Sequence, residues 1–435
     1  MTGRLAAVVM AAGQGTRMKS ATPKHLHPLL GRRLADWAVE AVRPLGVDPL
    51  VVVASPAAAN AFDGVTVAVQ REPLGTGDAV RSAKPFVGDA ESVLIVSADH
   101  PLLTPEVLRR LVEEHRDSGA SATVLSFEPD DPRAYGRIVR NRNGSLEAIV
   151  DARDATEEQL GIAEVNSSIY VFETAKLWPA LDRLEPQNVQ GELYLTDAAR
   201  FLVQDGENVG VMKAPDPREI EGVNTREELA DAAAALRARV NREHMLAGVT
   251  IVDPETTWID SEVELEPDST IHPFTILRGH TRVASGAEIG PHAVAVDAEI
   301  GEGVKVGPFC YLRPGTKLGA GSKAGTFVEI KNSEVGARTK VPHLSYIGDA
   351  DIGEDSNIGA GTITANYPHQ PGTTIGRNVR TGIHNGLQAP VEIGDDAWIA
   401  GGSYITDDVP PESLAGFPPR QVTKEGYRRR KRDNN

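Results

Sequence analysis

The sequence predicts two domains of different fold class. The first is an N-terminal α/β domain with an open, Rossmann-like sheet, and the second is a C-terminal left-handed parallel β-helix of hexapeptide repeats. Short apolar runs alternate with helix-like stretches in the first half, whereas aliphatic residues recur every six positions in the second half. A long alanine-rich stretch between the two halves predicts a connecting helix.

Short apolar runs in the first half predict buried strands. They occupy residues 5–10, 50–54 and 93–97, and a helical pattern at 105–115 follows the third run. Runs that are apolar on both faces suit a sheet covered by helices on both sides. In such an α/β sheet, the ligand crevice lies at the carboxyl ends of the strands.

The connecting helix has a recognisable start and end. Thr225 and Glu228 have the spacing of a capping box, residues 226–247 contain neither proline nor glycine, and Gly248 is a stop signal. We therefore predict an N-terminal domain at 1–225, a connecting helix at 226–248, and a β-helix domain with a basic tail at 249–435.

The second half has a period of six, which fits neither an α-helix nor an alternating strand. It fits a coil with one short strand and one turn per hexapeptide, three of which form a triangular rung. We predict that the repeated residue points inward and stacks on its equivalent one rung away, and that the glycine after it tolerates the turn conformation. The predicted inward residues are Ile300, Val306, Leu312, Leu318, Ala324, Ile330, Val335, Val341, Ile347, Ile352, Ile358, Thr364, Ile375, Thr381, Leu387, Ile393, Ile399 and Ile405. The glycines are Gly301, Gly307, Gly319, Gly325, Gly336, Gly348, Gly353, Gly359, Gly376, Gly382 and Gly394.

Charge and composition restrict the partners. The 435 residues carry a formal charge of −16, and 5% of them are aromatic. An acidic chain with few aromatic side chains is a poor general binder of nucleic acid, so a phosphate site must be a local arrangement of cations, backbone N–H groups and metal. The basic segment 428–432 is expected to be a solvated tail rather than a nucleic-acid site.

Cysteine and hydropathy patterns indicate the compartment. Cys310 is the only cysteine, so it can form neither an internal disulfide nor a cysteine-based zinc cage, and we expect a small buried hydrophobe. The apolar stretch at 5–12 is too short to cross a membrane and runs into a glycine loop rather than a cleavage site. We expect a cytoplasmic protein without membrane insertion.

A glycine-containing loop follows the first predicted strand, in the sequence Met10-Ala-Ala-Gly-Gln-Gly-Thr-Arg-Met18. Its glycines let backbone N–H groups approach a triphosphate, and Arg17 adds positive charge. Lys24 follows shortly after, so two cations can converge on one anion, although this lysine alone would be interpreted as a solvated surface residue. The loop matches neither the dinucleotide nor the Walker pattern.

Several segments in fixed order make the pattern specific. They are Ala11-Ala-Gly-Gln-Gly-Thr-Arg-Met-Lys-Ser20, Pro23-Lys-His-Leu-His-Pro28 with Gly31-Arg32, Gln70-Arg-Glu-Pro-Leu-Gly-Thr-Gly-Asp-Ala79, Asp99-His-Pro-Leu102, Tyr135-Gly-Arg137, Asn188-Val-Gln-Gly-Glu-Leu-Tyr-Leu-Thr-Asp197 and Glu221-Gly-Val-Asn224. Together they resemble the sugar-nucleotidyltransferase family. More narrowly, nearly the whole chain is similar to the bifunctional N-acetylglucosamine-1-phosphate uridylyltransferase/glucosamine-1-phosphate acetyltransferase family.

The resemblance implies that the first domain binds UTP, a sugar 1-phosphate and Mg²⁺, in peptidoglycan precursor synthesis. It implies catalytic roles for Lys24 and Arg17, which hold the triphosphate and the attacking phosphate together with Gly13. It implies Asp99 and Asn224 as Mg²⁺ ligands, and Gln70, Gly75 and Thr76 as the residues that read uracil. The remaining implied contacts with nucleotide and sugar are Ala11, Ala12, Gly136, Asp151, Asn166 and, again, Asn224.

The implied reaction needs no general base, because the sugar phosphate is already an anion when it attacks the α-phosphorus in line. Catalysis is then positioning plus neutralisation of charge. Simpler structural roles stay open at this point. Asp99 could be a turn cap before Pro101, and Asn224 could only start the connecting helix.

Two short segments depart from the family pattern. Ser97-Ala98-Asp99 stands where the family usually has Gly-Asp, and Asn166-Ser-Ser168 stands where it has Asn-Thr-Gly. Loss of the glycine at Ser168 would narrow the space around the sugar. The sequence therefore leaves the exact sugar and the base preference open.

For the β-helix, the resemblance implies a homotrimer that acetylates the amine of glucosamine 1-phosphate with acetyl-CoA at sites between subunits. His343 is implied as the general base, a role that suits histidine as a residue type because the ordinary pKa of imidazole is near neutral. Arg313 and Lys331 are implied as a phosphate clamp. Cations that only solvate the β-helix and a packed turn histidine are the structural alternatives. The other implied residues are Tyr346 and Asn357 for the acetyl acceptor and Ala360, Asn366 and Tyr367 for acetyl-CoA.

The donor side departs further from the family. Asn366-Tyr-Pro-His-Gln-Pro-Gly372 replaces Asn-Tyr-Asp-Gly with its lysines, Ile383 replaces a serine, and Gly401 replaces an alanine. We therefore predict weakened, altered or lost acetyl transfer as a hypothesis, which leaves a nucleotidyltransferase with a trimerising β-helix as the alternative function. A regulatory scaffold with a dead catalytic domain is a third class, against which the complete glycine loop, Lys24 and Asp99 argue.

Overall fold

The computed structural model describes residues 3–132, 135–367 and 372–417, together with residues 423 and 425. The chain divides into two units, residues 1–236 and 237–435. The division falls inside a helix at Arg226–Leu246 (called α7 below). The capping box predicted at its start is formed, because the Glu228 N–H donates to Thr225 Oγ1 and the Thr225 N–H donates to Glu228 Oε2. The predicted assignment of domains to 1–225, 226–248 and 249–435 stays a prediction.

The described residues of the first unit form eleven strands, six further α-helices and short 3-10 turns. The strands are β1 (Leu5–Ala11), β2 (Pro28–Leu29), β3 (Arg32–Arg33), β4 (Leu50–Ala54), β5 (Thr66–Val69), β6 (Ser92–Ser97), β7 (Ala122–Phe127), β8 (Arg137–Arg140), β9 (Leu146–Val150), β10 (Val165–Glu173) and β11 (Val209–Lys213). The helices are α1 (Leu34–Val42), α2 (Thr76–Val87), α3 (Pro105–Ser118), α4 (Glu157–Leu160), α5 (Thr174–Asp182) and α6 (Leu195–Gln204). The 3-10 turns are Thr16–Met18, Lys24–Leu26, Arg43–Leu45, Ala59–Ala61 and Pro217–Ile220.

The main sheet of this unit has the strand order β11-β7-β10-β6-β1-β4-β5, and the β8–β9 hairpin pairs with β10. Strand β1 is parallel to both of its neighbours, whereas β10 is antiparallel to β6 and β7. The chain leaves β1 toward β4 on one side and returns to β6 on the other. The carboxyl ends of β1 and β6 therefore lie side by side, with Met10 paired to Ser97, at the switch point where α/β sheets bind ligands.

Both faces of the sheet are buried, as the apolar runs predict. Alternate residues of β1 face opposite layers because successive side chains in a strand point to opposite sides. Leu5 and Val9 pack in the cluster that contains α1 and α3 residues. Val8 and Met10 pack in the cluster that contains residues of α2, α5 and α6. Helices therefore cover the sheet on both sides, which confirms the predicted α/β class.

The second unit is the predicted β-helix, whose short parallel strands stack into three faces. The first face contains β12 (Thr250–Ile251), β15 (Thr270–Ile271), β18 (Glu288–Ile289), β21 (Lys305–Val306), β24 (Lys323–Thr326), β27 (Lys340–His343), β32 (Arg380–Thr381), β35 (Trp398–Ile399) and β37 (Leu414–Ala415). The second face contains β13 (Trp258–Ile259), β16 (Ile276–Arg278), β19 (Ala293–Val296), β22 (Cys310–Leu312), β25 (Glu329–Lys331), β28 (Tyr346–Gly348), β30 (Ile363–Ala365), β33 (Gly386–Gln388) and β36 (Tyr404–Ile405). The third face contains β14 (Glu264–Leu265), β17 (Arg282–Val283), β20 (Glu299–Ile300), β23 (Lys317–Leu318), β26 (Glu334–Val335), β29 (Ala350–Ile352), β31 (Thr373–Ile375) and β34 (Val391–Ile393).

The six-residue period identifies the core of the β-helix correctly. Every predicted inward residue is buried, and the most exposed of them, Thr381 and Ile405, are 6% exposed. Equivalent residues pair from rung to rung, as Leu318 does with Val335 and then Val335 with Ile352. Stacked aliphatic columns of this kind remove apolar surface from water along the length of the coil.

The reason for glycine after most of the inward residues differs from the predicted one. Of the eleven, only Gly307 has a positive φ, of +104°. A Cβ on Gly336 would lie 2.6 Å from the backbone nitrogen of Glu354, and one on Gly353 would lie 2.6 Å from that of Arg377. At every one of these positions except Gly307 and Gly348, glycine is therefore needed because the backbone of the next rung passes too close for a side chain, and not because of a turn conformation.

Stacked rings mark one corner of the β-helix. Phe274, His292, Phe309 and Phe327 follow one another from rung to rung, with ring centroids 4.7, 4.8 and 5.2 Å apart. These separations match the spacing between neighbouring strands of a sheet. All four residues have positive φ values, so this corner uses left-handed backbone at residues other than glycine.

Cys310 has the structural role that the sequence predicts. It is 3% exposed, and its thiol donates to the Val328 carbonyl at 3.1 Å. Burial raises the pKa of the Cys310 thiol to about 12. A thiol in this state is a poor nucleophile, because the thiolate is the reactive form.

We predict that Gly336→Ala destabilises the β-helix by about 2 kcal/mol or more, since the new methyl group would overlap the backbone of the next rung. Urea unfolding of the full chain measures this change. Gly401→Ala is the matched control, because a Cβ there would be 3.4 Å from its nearest neighbour. Equal effects of the two substitutions would contradict the explanation by rung contact.

We predict a pH-dependent loss of stability from His115, which is buried and lies 3.0 Å from Thr123 Oγ1 through its Nδ1. Burial lowers the pKa of His115 from 6.5 to about 4, so between these values the unfolded chain binds a proton that the folded chain does not. The free energy of unfolding therefore decreases as the pH falls from 6.5 to about 4, by up to about 3 kcal/mol from this group.

Urea unfolding of His115→Asn at neutral pH and near pH 4.5 tests this assignment, because asparagine keeps a polar group near Thr123 but does not titrate. Its free energy of unfolding should change less with pH than that of the unsubstituted chain. His280→Asn, at an exposed histidine, should leave the pH dependence unchanged. Parallel curves for all three proteins would refute the role of His115.

Candidate active sites

The glycine loop leaves β1 and packs against Lys24. Ala11 is the last residue of β1, Ala12 after it is buried, and Gly15 has a φ of +61°. A Cβ on Gly15 would lie 2.4 Å from Lys24 Cβ. At Gly13 the nearest atom would be 3.6 Å away, so space remains above that position. The loop therefore packs tightly against Lys24 at Gly15 and leaves space for a ligand at Gly13.

Lys24 makes a buried ion pair at the centre of this site. Its Nζ lies 2.5 Å from Asp99 Oδ2 and 2.8 Å from Asn224 Oδ1, and the lysine is 6% exposed. Arg17 also donates to Asn224 Oδ1, at 2.9 Å. Burial alone would raise the pKa of Asp99, but Lys24 and His100 outweigh it and hold that pKa well below the usual value. Asp99 is therefore a carboxylate at neutral pH.

The partners of Asp99 are not those of a turn cap. Its Oδ1 accepts a hydrogen bond from Ser97 Oγ at 2.6 Å and lies 3.0 Å from His100 Nδ1, and its Oδ2 faces Lys24. The family departure at Ser97 thus adds a hydroxyl donor to the carboxylate. The three side chains hold Asp99 where β6 ends, next to the end of β1.

Asn224 does more than start the helix that follows it. The capping of α7 uses Thr225 and Glu228, and Glu228 Oε2 also accepts from the Asn224 N–H at 2.6 Å. The side-chain oxygen of Asn224 is left to face Lys24 and Arg17. The helix start therefore anchors Asn224 through its backbone and directs its amide oxygen toward the cations.

A second group of predicted residues lies at the start of α2. Gln70 is buried, and its Nε2 donates to the Gly75 carbonyl and to Asp78 Oδ2, both at 3.0 Å. Thr76 Oγ1 accepts from the Leu195 N–H at 3.0 Å. The Thr76 hydroxyl is thus bonded to the first residue of α6, whereas Gln70 keeps its amide oxygen available.

One cavity of about 450 Å³ is lined both by the residues around Lys24 and by those at the start of α2. Arg153, Gln190 and Glu192 also line it, although the sequence did not predict them as site residues. Only their positions in the sequence could have indicated them. Arg153 lies close to the predicted site residue Asp151, and the other two lie in a segment that carries the family resemblance. The predicted residues that line the cavity are Ala12, Gly13, Arg17, Lys24, Gln70, Gly75, Thr76, Asp99 and Asn224.

The predicted sugar residues are less closely grouped. The Asn166 N–H donates to the Gly136 carbonyl at 2.8 Å, and Asn166 Nδ2 donates to Tyr170 Oη at 2.7 Å. Asp151 Oδ1 accepts from the Arg153 N–H at 2.9 Å, and Asp151 lines a different cavity of about 730 Å³. Gly136, Asp151 and Asn166 are not among the described residues that line the cavity of about 450 Å³.

The backbone conformation at Ser168 explains why the family usually has a glycine at this position. Ser168 lies at a bulge in β10 with a φ of +61°, a conformation that glycine adopts without strain. Ser168 lines the cavity of about 450 Å³ and also a smaller cavity of about 160 Å³ beside Asp99 and Asn224. The serine side chain is therefore accommodated at the wall between the metal candidates and the sugar candidates.

In the β-helix, three acceptor candidates share the second face. Arg313 directly follows β22, Lys331 ends β25 and Tyr346 begins β28. Arg313 pairs with Glu329 at 3.0 Å, and Lys331 Nζ lies 3.4 Å from Asp349 Oδ2. Each of the two cations therefore has a carboxylate partner within the chain.

The other two acceptor candidates belong to the first face. His343 is exposed at the end of β27, and its carbonyl accepts from the Gly361 N–H at 3.3 Å. Asn357 bridges Lys340 and Arg380 along the same face. One chain therefore distributes the five predicted residues over two faces.

Asp349 links the acceptor and donor candidates, although no sequence motif indicated it. Its carboxylate accepts from Asn332 at 2.8 Å and from Asn366 Nδ2, besides facing Lys331. Burial opposes ionisation, but these hydrogen bonds and the Lys331 charge lower the pKa of Asp349. Of the other donor candidates, Tyr367 is 91% exposed and the Ala360 carbonyl accepts from the His384 N–H.

The departures on the donor side fall partly outside the described residues, since Pro368 and the three residues after it are not described. Ile383 is 58% exposed, and a Cβ on Gly401 would lie 3.7 Å from its Cγ1. The His384 ring lies against Gly361, where a Cβ would meet Nδ1 at 2.6 Å. Gly361 thus leaves room for the His384 ring, whereas a side chain at position 401 would make only an ordinary contact with Ile383.

Neither a metal cluster nor a membrane helix is present in the described part of the chain. The described residues contain no cluster of three or more histidine, cysteine or acidic side chains placed to hold a metal ion. None of the described helices combines the length and the apolar character needed to cross a membrane.

Comparison with family models identifies both halves of the chain. The MobA-like NTP transferase domain matches residues 7–199. The hexapeptide repeat of succinyl-transferase matches residues 350–387 and 372–407.

Curated relatives match over the whole length. The bifunctional protein GlmU of Caldanaerobacter subterraneus is 42% identical, with 97% of each chain covered. Those of Trichlorobacter lovleyi and Streptomyces avermitilis are 44% and 46% identical, over 99% and 98% of this chain and 99% and 94% of theirs. As its sequence motifs predict, the chain belongs to the bifunctional GlmU family of nucleotidyltransferase and acetyltransferase enzymes.

Proposed function

We propose that this chain makes UDP-N-acetylglucosamine by two reactions. It transfers an acetyl group from acetyl-CoA to glucosamine 1-phosphate, and it transfers a uridylyl group from UTP to N-acetylglucosamine 1-phosphate with release of pyrophosphate. The observation that carries the proposal is the match to bifunctional relatives across both halves of the chain. Nothing in that match favours the alternative of nucleotidyl transfer alone.

We assign uridylyl transfer to residues 1–225 and acetyl transfer to residues 249–435, with 226–248 as the connecting helix. The cavity at the ends of β1 and β6 supports the first assignment, because it combines a glycine loop, Lys24 and Arg17. Cations and backbone N–H groups directed at one space are what a triphosphate requires.

In uridylyl transfer, the sugar phosphate attacks the α-phosphorus of UTP in line and pyrophosphate leaves. Lys24 and Arg17 neutralise the charge that the two anions bring together, and the N–H groups of Gly13 and its neighbours hold the triphosphate. Ala11 and Ala12 place this loop at the strand end. No side chain has to remove a proton, because the attacking phosphate oxygen is already ionised.

The residues present fit Mg²⁺. The oxygens of Asp99 and Asn224 lie 2.5 and 2.8 Å from the same ammonium nitrogen, so two hard oxygen donors converge on one point. Mg²⁺ binds proteins through few such oxygens and takes phosphates and waters as its other ligands. When bound, it would supply positive charge to the phosphates. Asp99 is ionised and oriented by Ser97 before any ligand arrives.

Substrate selection would be divided between the two ends of the site. Gln70, Gly75 and Thr76 would face the base. Gly136, Asp151, Asn166 and Asn224 would face the sugar, and the contact between the Gly136 carbonyl and the Asn166 N–H supports two members of this set.

In acetyl transfer, the amine of glucosamine 1-phosphate attacks the thioester carbonyl of acetyl-CoA, and the coenzyme A thiol leaves. His343 would accept the amine proton, since a neutral imidazole can take a proton at neutral pH. Arg313 and Lys331 would hold the sugar phosphate, which requires exchange of their present partners Glu329 and Asp349 for the substrate.

The other assignments complete the acetyl-transfer proposal. Tyr346 and Asn357 would bind the acceptor, while Ala360, Asn366 and Tyr367 would contact acetyl-CoA. Because the acceptor residues occupy two faces of one chain, a homotrimer in which neighbouring copies complete each site is the assembly we propose. We also propose a cytoplasmic location.

Product analysis tests the proposal directly. The purified protein is incubated with UTP, Mg²⁺ and either N-acetylglucosamine 1-phosphate or glucosamine 1-phosphate plus acetyl-CoA, and products are identified by mass spectrometry. UDP-N-acetylglucosamine from both mixtures is the expected result. Product from the acetylated sugar alone would remove the acetyltransferase, and product from neither would refute the sugar or the base.

Replacement of Lys24 should abolish the first reaction selectively. We predict that Lys24→Met lowers kcat/KM for uridylyl transfer by about a hundredfold or more, since a cation directed at developing phosphate charge is lost. Acetyl transfer by the same preparation should be unchanged. Lys19→Met, at an exposed lysine on the same loop, is the control. A similar loss in both variants would argue against a specific role of Lys24.

Replacement of His343 should have the opposite selectivity. We predict that His343→Ala lowers kcat for acetyl transfer by about a hundredfold or more, as expected for loss of a general base, and leaves uridylyl transfer unchanged. His280→Ala is the control, because this histidine is also exposed on the β-helix. Retention of acetyl transfer in His343→Ala would exclude His343 as the base.

A further inference from the structure

The Gln70 amide is held from one side by two oxygens. Its Nε2 donates to the Gly75 carbonyl at 3.0 Å and to the Asp78 carboxylate at 3.0 Å. Gln70 is 5% exposed, and both it and Gly75 line the nucleotide cavity. Asp78 lies in the first turn of α2, the helix that Gly75 precedes.

This arrangement determines which end of the amide faces the cavity. A carbonyl and a carboxylate can only accept hydrogen bonds, so the atom between them must be the NH₂ group. Gln70 Oε1 accepts from none of the described side chains, and it is not among the buried atoms that lack a partner. The atom that Gln70 offers to a ligand in the cavity is therefore a hydrogen-bond acceptor.

An acceptor at this position distinguishes nucleotide bases. Uracil presents a ring N–H at the middle of its Watson–Crick edge, whereas cytosine presents a ring nitrogen lone pair there. An oxygen opposite the lone pair leaves two acceptors facing each other and unsatisfied, and such a contact is costly in a buried site.

We propose that Asp78 is a positioning residue that determines base selection by locking the orientation of the Gln70 amide. The negative charge of Asp78 strengthens its hydrogen bond to Nε2 relative to a neutral acceptor. Without that charge, only the Gly75 carbonyl would oppose rotation of the amide, and a rotated Gln70 would offer NH₂ to the lone pair of cytosine. This inference rests on the proposed uridylyl transfer and specifies how UTP is chosen for it.

The test is the ratio of kcat/KM for UTP to that for CTP in uridylyl and cytidylyl transfer to N-acetylglucosamine 1-phosphate. We expect Asp78→Asn to lower this ratio roughly tenfold, through weaker use of UTP and better use of CTP. Asparagine has the same size but can donate to Gln70 Oε1 as well as accept from Nε2. UTP methylated at N3 should be a poor substrate of the unsubstituted enzyme, because it lacks the ring N–H.

Asp182→Asn is the matched control. Asp182 pairs with Lys84 of α2 at 3.7 Å, but its side chain is 62% exposed and lies outside the cavity. This variant should keep the ratio of the unsubstituted enzyme. Acetyl transfer should be unchanged in both variants because it is assigned to the other domain, and residual turnover of UTP shows that the substituted domain is folded.

The outcomes separate this inference from the proposed function. If the unsubstituted enzyme does not use UTP, uridylyl transfer itself is wrong. If it uses UTP selectively and Asp78→Asn keeps the ratio within twofold, or loses activity equally with both nucleotides, the role of Asp78 in base selection is refuted and uridylyl transfer stands. Efficient use of N3-methylated UTP would refute the contact with Gln70 Oε1.

Discussion

The buried ion pair between Lys24 and Asp99 is the interaction on which the nucleotide site depends. A buried carboxylate or ammonium group is costly unless it is paired and hydrogen-bonded, and here each compensates the other. The pair also joins separate chain segments. The glycine loop packs on Lys24, Asp99 lies just after the end of β6, and Asn224 brings the start of α7 to the same ammonium group. Removal of either charge would leave the other buried without a partner. Since these contacts are already formed in the protein alone, the site is organised before any substrate arrives.

In the β-helix, the corresponding constraint is the distance between rungs. Inward aliphatic residues stack in columns, and glycines after them let successive backbones approach closely. This regular core leaves the outward residues free to differ between the faces. Asp349 shows the effect, because one outward carboxylate holds both Lys331 and Asn366.

Periodicity and short motifs made much of the structure predictable from the sequence. The six-residue period located every inward residue of the predicted columns, since the recurrence of a small or aliphatic side chain every six residues is visible in the local sequence. The glycine loop and Lys24 were likewise found, as they lie close together in sequence. Arg153 and Asp349 could not be found in this way, because their roles depend on residues brought near only by folding. Asp78 lies within a quoted motif, but the sequence does not show that its carboxylate accepts from Gln70. The reason for the glycines was also missed, since a single hexapeptide does not show how closely the backbone of the next rung approaches.

The rung that contains residues 366–372 has more residues than its neighbours, yet pairing continues on both sides of it: Ala365 pairs with Gln388, and Thr373 with Ala350. The inward columns of the described residues need none of the extra length at this corner. Changes in the length of this segment should therefore cost the stacked core little stability, whereas a change at a column residue should cost more. Divergence of this segment between relatives is thus a poor guide to whether the coil around it has been preserved.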